Sequence, residues 1–155
     1  MNEDVQKIAE MIDSTTWGRE FSWEEITEFA CYMEVMKRGK GRTIFSEGET
    51  NNYLALVVEG IVTVYKGATT DPDHRLTVVN KGKTFGEMSL LDSQPRSATV
   101  VAATDVKLLL MSEQNFKKLL KENTDLALQL LLKIATLLSQ RLRQTSNWLV
   151  DFDHD

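Results

Sequence analysis

Short apolar runs broken by glycine fill the middle of this chain, and a long leucine-rich segment fills its end. The chain has 155 residues; all eight glycines fall between Gly18 and Gly86, and no glycine or proline follows Pro95. Glycine and proline mark the turns that interrupt regular structure. The pattern therefore predicts a middle part built of strands and turns, followed by a helical C-terminal part.

The middle part predicts several short β-strands. Its apolar and β-branched residues occur in short runs bounded by turn residues, which is typical of strands. Glu59 and Gly60 predict a tight hairpin, and the polar residues 67–74 predict an exposed loop. Many short strands indicate a β-sandwich or a jelly roll, and periodicity alone does not choose between them. The predicted strands are 43–45, 53–58, 61–66, 75–80, 98–103 and 107–111.

Helices are predicted on both sides of the strands. Residues 4–12 predict a short helix, and Ser22 with Glu25 predicts a capping box at the start of a second helix that runs to about Met33. Residues 112–121 predict a third helix. A fourth, long helix is predicted from Thr124 to about Trp148.

Two apolar rows run along the long predicted helix. One row steps alternately by three and four residues, which is typical of a heptad seam. A helix that only covers its own domain needs a single apolar side, so a second row favours pairing with another chain. The seam is Leu128, Leu131, Ala135, Leu138, Leu142, Thr145 and Leu149, and the row expected to face the strands is Leu130, Ile134 and Leu137.

Composition narrows the function classes. The formal net charge of −5 argues against general affinity for nucleic acid or anionic membranes, although it permits a local positive pocket. The N-terminus lacks the pattern of a signal peptide, and the longest apolar run, residues 126–138, is interrupted by polar residues. Cys31 is the only cysteine, so no disulfide forms within one chain, and we expect it in the core. A cytoplasmic location and no membrane contact are therefore expected.

The residues best suited to bind a ligand lie in one segment, TFGEMSLLDSQPRSATVV, at positions 84–101. Arg96 offers a planar fork that matches two phosphate oxygens, and a helix start after Gly86 would expose free backbone N–H groups. An ionised Glu87 accepts hydrogen bonds, which suits sugar hydroxyls. The segment predicts a pocket for a small phosphorylated ligand that carries a ribose. The competing interpretation is an ion pair between Glu87 and Arg96 that only braces a loop.

The order FGE-x-S-L-L followed by PRSATV resembles the phosphate-binding cassette of cyclic nucleotide-binding domains. Gly41, Gly48, Gly60 and Gly82 also stand where that family places its turn glycines, and the resemblance covers roughly residues 21–143. It implies a mainly β fold, a β jelly roll (double-stranded β-helix) with flanking helices and a long C-terminal dimerisation helix. The implied single domain spans residues 1–155, with N-terminal helices in 1–40, the jelly roll in 41–111, the cassette in 85–99 and C-terminal helices in 112–150.

The resemblance also implies the role of each cassette residue. Arg96 would bind the cyclic phosphate and Glu87 the ribose 2′-hydroxyl. The side chains of Met88 and Leu90 are expected in the core beneath the cassette. Ser97 follows the arginine as in the bacterial activators of the family, which bind cyclic AMP, although a hydroxyl here, usually threonine, is also associated with cyclic GMP selectivity in eukaryotic relatives. The resemblance therefore favours cyclic AMP and leaves cyclic GMP as the alternative. The full set of implied ligand-binding residues is Gly86, Glu87, Met88, Ser89, Arg96, Ser97 and Ala98.

No cofactor, metal or catalytic role is expected. The two histidines, His74 and His154, stand apart in the sequence, and no nucleophile, Walker or zinc-protease motif occurs. The sequence therefore predicts a non-catalytic sensor that signals through its long helix and forms a homodimer. The sensor would act on a downstream protein, which the sequence does not identify. The alternative is a protein-interaction or dimerisation module whose jelly roll binds another effector or none.

The bacterial activators of the family continue after the long helix into a DNA-reading domain. This sequence stops at Asp155, too early for such a domain, so we expect that the chain alone does not bind DNA. The initial methionine favours a free-standing sensor over a fragment of a larger regulator.

Overall fold

The computed structural model describes the backbone of residues 2–154 and the side chains of residues 2–146. Helices flank a block of strands in the chain order α, β, α, with one short α-helix and one 3-10 helix inside the block. The helices are α1 (Glu3–Asp13), α2 (Trp17–Glu20), α3 (Trp23–Ala30), α4 (Glu87–Asp92), α5 (Glu113–Glu122) and α6 (Thr124–His154), with a short 3-10 helix at Pro72–His74. The strands are β1 (Glu34–Arg38), β2 (Thr43–Phe45), β3 (Tyr53–Glu59), β4 (Val62–Lys66), β5 (Arg75–Val79), β6 (Thr84–Phe85), β7 (Ala98–Ala102) and β8 (Val106–Ser112).

The strands form two antiparallel sheets. One sheet has the order β1-β8-β3-β6, and the other has the order β2-β7-β4-β5. In the first sheet Leu56 of β3 pairs with Leu109 of β8. In the second sheet Thr63 of β4 pairs with Val101 of β7. Non-consecutive neighbours in both sheets give the crossed connections of a jelly roll, so the predicted fold class is confirmed.

Both sheets contribute side chains to one core. On β3 the alternate residues Tyr53, Ala55 and Val57 point into this core, where they join residues from β4, β7 and β8. The intervening residues of β3, Leu54 and Leu56, are also fully buried. Burial on both faces explains why this strand reads as one apolar run in the sequence.

The N-terminal helices start as the sequence predicts. At Ser22 the hydroxyl oxygen accepts from the Glu25 N–H at 3.2 Å, and the Glu25 carboxylate accepts from the Ser22 N–H at 2.9 Å. This confirms the capping box. The rings of Trp17, Phe21 and Phe29 pack together with centroid distances of 5.0 to 5.9 Å.

Several elements differ from the sequence predictions. β1 was not predicted, and it lies in the segment assigned to N-terminal helices. Its sequence, EVMKR, is largely polar because it is an edge strand that pairs with β8 on one side. The two-residue β6 and the four-residue α2 were also missed, since neither is long enough to show a period. Cys31 is exposed at the C-terminal cap of α3, so its predicted core position is wrong.

The chain divides into two compact units, Met1–Lys117 and Lys118–Asp155. In the second unit the side chain of Asn123 accepts a hydrogen bond from the Leu126 N–H at 3.2 Å and so caps the start of α6. Leu130 and Ile134 are buried. Among the predicted seam residues Leu131 and Leu138 are half-buried, and Leu128 and Leu142 are exposed; Leu149 and His154 lie outside the described side chains.

Candidate ligand-binding site

The cassette begins where β6 ends and α4 starts. Gly86 is the residue before α4, and its φ of +81° lies in the left-handed region. A Cβ at this position would meet the Tyr53 carbonyl oxygen at 2.7 Å and Arg96 Nη1 at 2.8 Å. Glycine is therefore required twice, once for the backbone angle and once for the close approach of two neighbours.

Arg96 is buried inside the first unit, with 3% of its surface exposed. Nη1 donates to the Ser89 hydroxyl at 2.7 Å and to the Gly86 carbonyl at 3.2 Å. Nη2 donates to the Tyr53 carbonyl at 3.0 Å. These bonds tie the guanidinium to both ends of the cassette turn and to the start of β3, so its position is set before any ligand arrives.

Two aromatic rings flank the guanidinium. The Arg96 carbon Cζ lies 4.0 Å from the centroid of the Phe45 ring and 4.5 Å from that of Tyr53. Both are cation–π distances, which compensate part of the cost of burying the charge. Burial lowers the pKa of Arg96, and the contact with Tyr53, followed by the charges of Glu49 and Glu87, opposes this shift. An arginine pKa starts so high that the side chain remains a cation.

The backbone around Arg96 is also held on both sides. The Arg96 N–H donates to the Glu49 carbonyl at 2.8 Å, and the Gly48 N–H donates to the Arg96 carbonyl at 2.8 Å. The Glu49 carboxylate turns back and accepts from the Ser46 N–H at 3.1 Å. The loop after β2 therefore holds the backbone of Arg96 by two hydrogen bonds.

Glu87 is the first residue of α4 and is 2% exposed. Its carboxylate accepts from the Thr84 hydroxyl at 3.3 Å. No salt bridge joins Arg96 to Glu87 or to another carboxylate in the described part of the chain. The interpretation of this pair as a loop-bracing ion pair is therefore not supported. The site instead places a buried cation and a buried carboxylate in the same cassette without a salt bridge between the two.

The other predicted site residues lie around this centre in different environments. Ser89 is buried against the guanidinium, and Ala98 is half-buried at the start of β7. Ser97 is exposed. Leu90 is buried as expected, but Met88 is 58% exposed, so its predicted core position is wrong. In a helix of six residues only one side faces inward, and Met88 lies on the other side.

The sequence prediction missed Tyr53 and Phe45, the two aromatic residues of the site. Strand alternation could have placed Tyr53 on the inward face, because it shares that face with Ala55 and Val57. Nothing in the sequence alone indicates that this face meets the cassette arginine. That contact depends on the pairing of β3 with β6, which was not predicted.

The described residues offer no metal site and no membrane span. No group of three or more histidine, cysteine or acidic side chains in the described part of the chain could hold a metal ion. Within the same residues, no helix is both long enough and apolar enough to cross a bilayer.

The family model described as "Cyclic nucleotide-binding domain" matches residues 36–123. This match covers more than half of the chain and includes the whole cassette and every strand except the first two residues of β1. The chain belongs to the cyclic nucleotide-binding domain family. The family and the jelly-roll fold predicted from the cassette sequence are thereby confirmed.

Similar proteins include regulators and isolated domains. A "CRP-like cAMP-activated global transcriptional regulator" of Mycobacterium tuberculosis is 30% identical over 112 residues, which are 72% of this chain and 48% of that protein. A "Cyclic AMP receptor protein" of Thermus thermophilus is 32% identical over 121 residues, 78% of this chain and 54% of that protein. The chain thus spans about half the length of these curated relatives.

A solved structure with the same fold is a cyclic nucleotide-binding domain from Methylobacillus flagellatus. It superposes with a TM-score of 0.74 at 27% identity, over 90% of this chain and 79% of that one. This superposition supports the jelly-roll assignment independently of the cassette sequence.

Proposed function

We propose that this chain is a non-catalytic cytoplasmic sensor that binds a cyclic nucleotide in its cassette. Arg96 binds the cyclic phosphate and Glu87 binds the ribose 2′-hydroxyl. Gly86, Ser89, Ser97 and Ala98 line the same site. Met88 contributes only its backbone, because its side chain is exposed.

The observation that carries this proposal is the buried guanidinium of Arg96 without a carboxylate partner. A buried charge is costly unless an opposite charge and hydrogen bonds compensate it. Here the hydrogen bonds are to neutral oxygens and the described residues supply no ion pair to Arg96. A small anion would complete the compensation. Glu87 then selects an anion that also carries a hydroxyl, since a carboxylate repels a bare phosphate.

Cyclic AMP is the preferred ligand in this proposal. Two relatives at 30% and 32% identity carry names that refer to cyclic AMP. Ser97 follows Arg96 in this chain, as in the bacterial activators that the cassette resembles. Its exposed hydroxyl can turn toward either purine, so the preference over cyclic GMP is expected to be moderate.

Signalling would use the long helix α6, which lies in the second compact unit together with the end of α5. Ligand binding shifts a conformational equilibrium only if the ligand contacts the two states differently. The segment between α5 and α6, at Asn123, is the proposed hinge. A second copy of the chain or a downstream protein would bind differently according to the position of the helix. We expect no binding to DNA by this chain alone.

Isothermal titration calorimetry with cyclic AMP and cyclic GMP tests the proposal. We expect saturable binding of both nucleotides, with cyclic AMP tighter, and a rise in the melting temperature that grows with ligand concentration. Arg96→Lys keeps the charge and loses the fork, and we expect it to weaken binding by about 2–5 kcal/mol. Glu87→Gln should cost less, about 1–3 kcal/mol, because it acts on a neutral hydroxyl.

Arg42→Lys is the matched control, because Arg42 is exposed. It should bind like the unmodified protein. If neither nucleotide binds at millimolar concentration, the proposed function is wrong. If Arg96→Lys binds normally, the nucleotide is held elsewhere.

A further inference from the structure

Two polar atoms in the site are buried and have no hydrogen-bond partner among the described residues. They are the Tyr53 hydroxyl oxygen and Arg96 Nε. Tyr53 is 7% exposed and Arg96 is 3% exposed, so neither atom is at the surface. Buried polar groups are almost always paired, and two unpaired groups in one place need an explanation.

The two atoms belong to side chains in direct contact. The Arg96 guanidinium lies over the Tyr53 ring at 4.5 Å, and Nη2 donates to the Tyr53 carbonyl at 3.0 Å. Burial raises the pKa of Tyr53, and the nearby Arg96 charge opposes that shift. The phenol therefore keeps its proton at neutral pH and remains a donor. The guanidinium comes close enough to the phenol for a polar contact that also opposes the rise in the Tyr53 pKa. No N–H of Arg96, however, meets the hydroxyl oxygen with both the distance and the angle of a hydrogen bond.

The donors of Arg96 can be counted. A guanidinium has five N–H groups, and none of its nitrogens can accept a hydrogen bond. Both N–H groups of Nη1 are used, by Gly86 and Ser89, and one of Nη2 is used by Tyr53. The N–H of Nε and the second N–H of Nη2 remain. With the Tyr53 hydroxyl they make a group of donors that lacks an acceptor.

We propose that Tyr53 is a ligand-binding residue whose hydroxyl donates to a phosphate oxygen of the same anion that Arg96 binds. A phosphate presents several acceptor oxygens, so one oxygen can receive the Nε and Nη2 donors while another receives the phenol. This inference rests on the proposed function, since it adds one residue to the same site. It also implies that Arg96 meets the anion through its Nε side, because Nη1 is already occupied by the cassette.

Tyr53→Phe isolates the hydroxyl, since it keeps the ring that packs against Phe45 and Arg96. In the ligand-free protein the hydroxyl has no partner, so its removal should leave the melting temperature unchanged or slightly higher. With cyclic AMP present, the variant loses a hydrogen bond to a charged group. We expect calorimetry to show about tenfold or greater loss of affinity, the range of such bonds.

Tyr65→Phe is the matched control, because Tyr65 is a half-buried tyrosine outside the core cluster that contains Tyr53. It should bind cyclic AMP like the unmodified protein. Arg96→Lys combined with Tyr53→Phe gives a coupling test: if both side chains bind one anion, the two losses should not be additive.

The outcomes separate this inference from the proposed function. Weaker binding by Tyr53→Phe at an unchanged melting temperature supports it. Equal affinity of Tyr53→Phe and the unmodified protein overturns it and leaves the function intact. A melting temperature of the ligand-free variant lowered by several degrees also overturns it, because the hydroxyl is then structural. If the unmodified protein binds neither nucleotide, the proposed function fails, and this inference with it.

Discussion

At the scale of single residues, the site is organised around one arginine whose orientation the protein fixes by itself. The three side-chain hydrogen bonds of Arg96 reach Gly86 before α4, Ser89 in α4 and Tyr53 at the start of β3. A ligand that meets an already oriented side chain loses less affinity to conformational ordering. The same bonds make Arg96 part of the packing, so truncation to alanine would damage both binding and folding. Arg96→Lys keeps the charge and most of the side-chain volume and is therefore the more informative substitution.

Gly86 gives a residue-scale prediction with an internal control. Gly86→Ala forces a side chain into the left-handed region and against the Tyr53 carbonyl and Arg96 Nη1. Gly41→Ala meets the first problem only, because Gly41 has φ of +86° and no atom within 4 Å of the added Cβ. We expect Gly41→Ala to cost about 1–2 kcal/mol of unfolding free energy. Gly86→Ala should cost about 1–3 kcal/mol more, as an overpacked core does.

Urea denaturation of both variants and the unmodified protein measures this difference. Equal losses for the two variants would mean that the cassette turn moves freely away from Arg96. The close approach of Gly86 to the Tyr53 carbonyl and to Arg96 would then not constrain the site.

At the scale of elements, the sequence identified long or strongly patterned segments and missed the ones that exist only through pairing. β2 was predicted at its observed bounds, and β3, β4, β5, β7 and β8 within two residues at each end, because each carries a clear run of apolar or β-branched residues. β1 and β6 were missed, since a polar edge strand and a two-residue strand have no signal of their own. β6 matters most, because its pairing with β3 joins Tyr53 to the cassette.

Glu113 contacts three polar side chains of the first unit, and these contacts predict how stability depends on pH. Its carboxylate accepts from the Ser93 hydroxyl at 2.6 Å, from the Asn52 amide at 3.0 Å and from Lys117 at 3.1 Å. These contacts, with Ser93 first, lower the pKa of Glu113 to about 2. A carboxyl with a lowered pKa stabilises the fold above its unfolded pKa of about 4.3, and this stabilisation disappears as pH falls through the folded pKa.

We therefore expect Glu113→Gln to be less stable than the unmodified protein above pH 5. The difference should shrink between about pH 4.3 and pH 2, the window set by the two pKa values. Thermal unfolding across this range measures it. Asp73→Asn is the control, because Asp73 is exposed in the loop between β4 and β5. A constant difference between Glu113→Gln and the unmodified protein at every pH would show that the carboxylate charge plays no part.

At the scale of the whole molecule, the question is which protein surface covers the exposed apolar face of α6. At 3.6 residues per turn, Leu128, Leu132, Ala135 and Leu142 fall on one face of the helix, opposite Leu130 and Ile134. The exposed fractions of the side chains agree with these two faces. On the first face Leu128, Leu132 and Leu142 are 48%, 68% and 67% exposed. On the opposite face Leu130 and Ile134 are 0% and 1% exposed. The predicted seam used Leu131 and Leu138, which are half-buried. The exposed face therefore shares Leu128, Ala135 and Leu142 with the predicted seam and is turned from it by less than one residue position, toward Leu132.

We predict that this face pairs with the same face of a second copy. An exposed leucine stripe on a helix is an apolar patch that a soluble monomer rarely keeps, and its four-and-three spacing suits a helix pair. Leu132→Glu with Leu142→Glu should give a folded monomer in sedimentation experiments at tens of micromolar, while the unmodified protein sediments as a dimer. Gln129→Glu with Gln140→Glu adds the same charge at exposed polar positions and should remain dimeric. If the unmodified protein is itself a monomer at that concentration, the stripe is the binding face for a different protein. In that case the long helix would signal by binding that protein rather than by changing the position of a second copy of the chain.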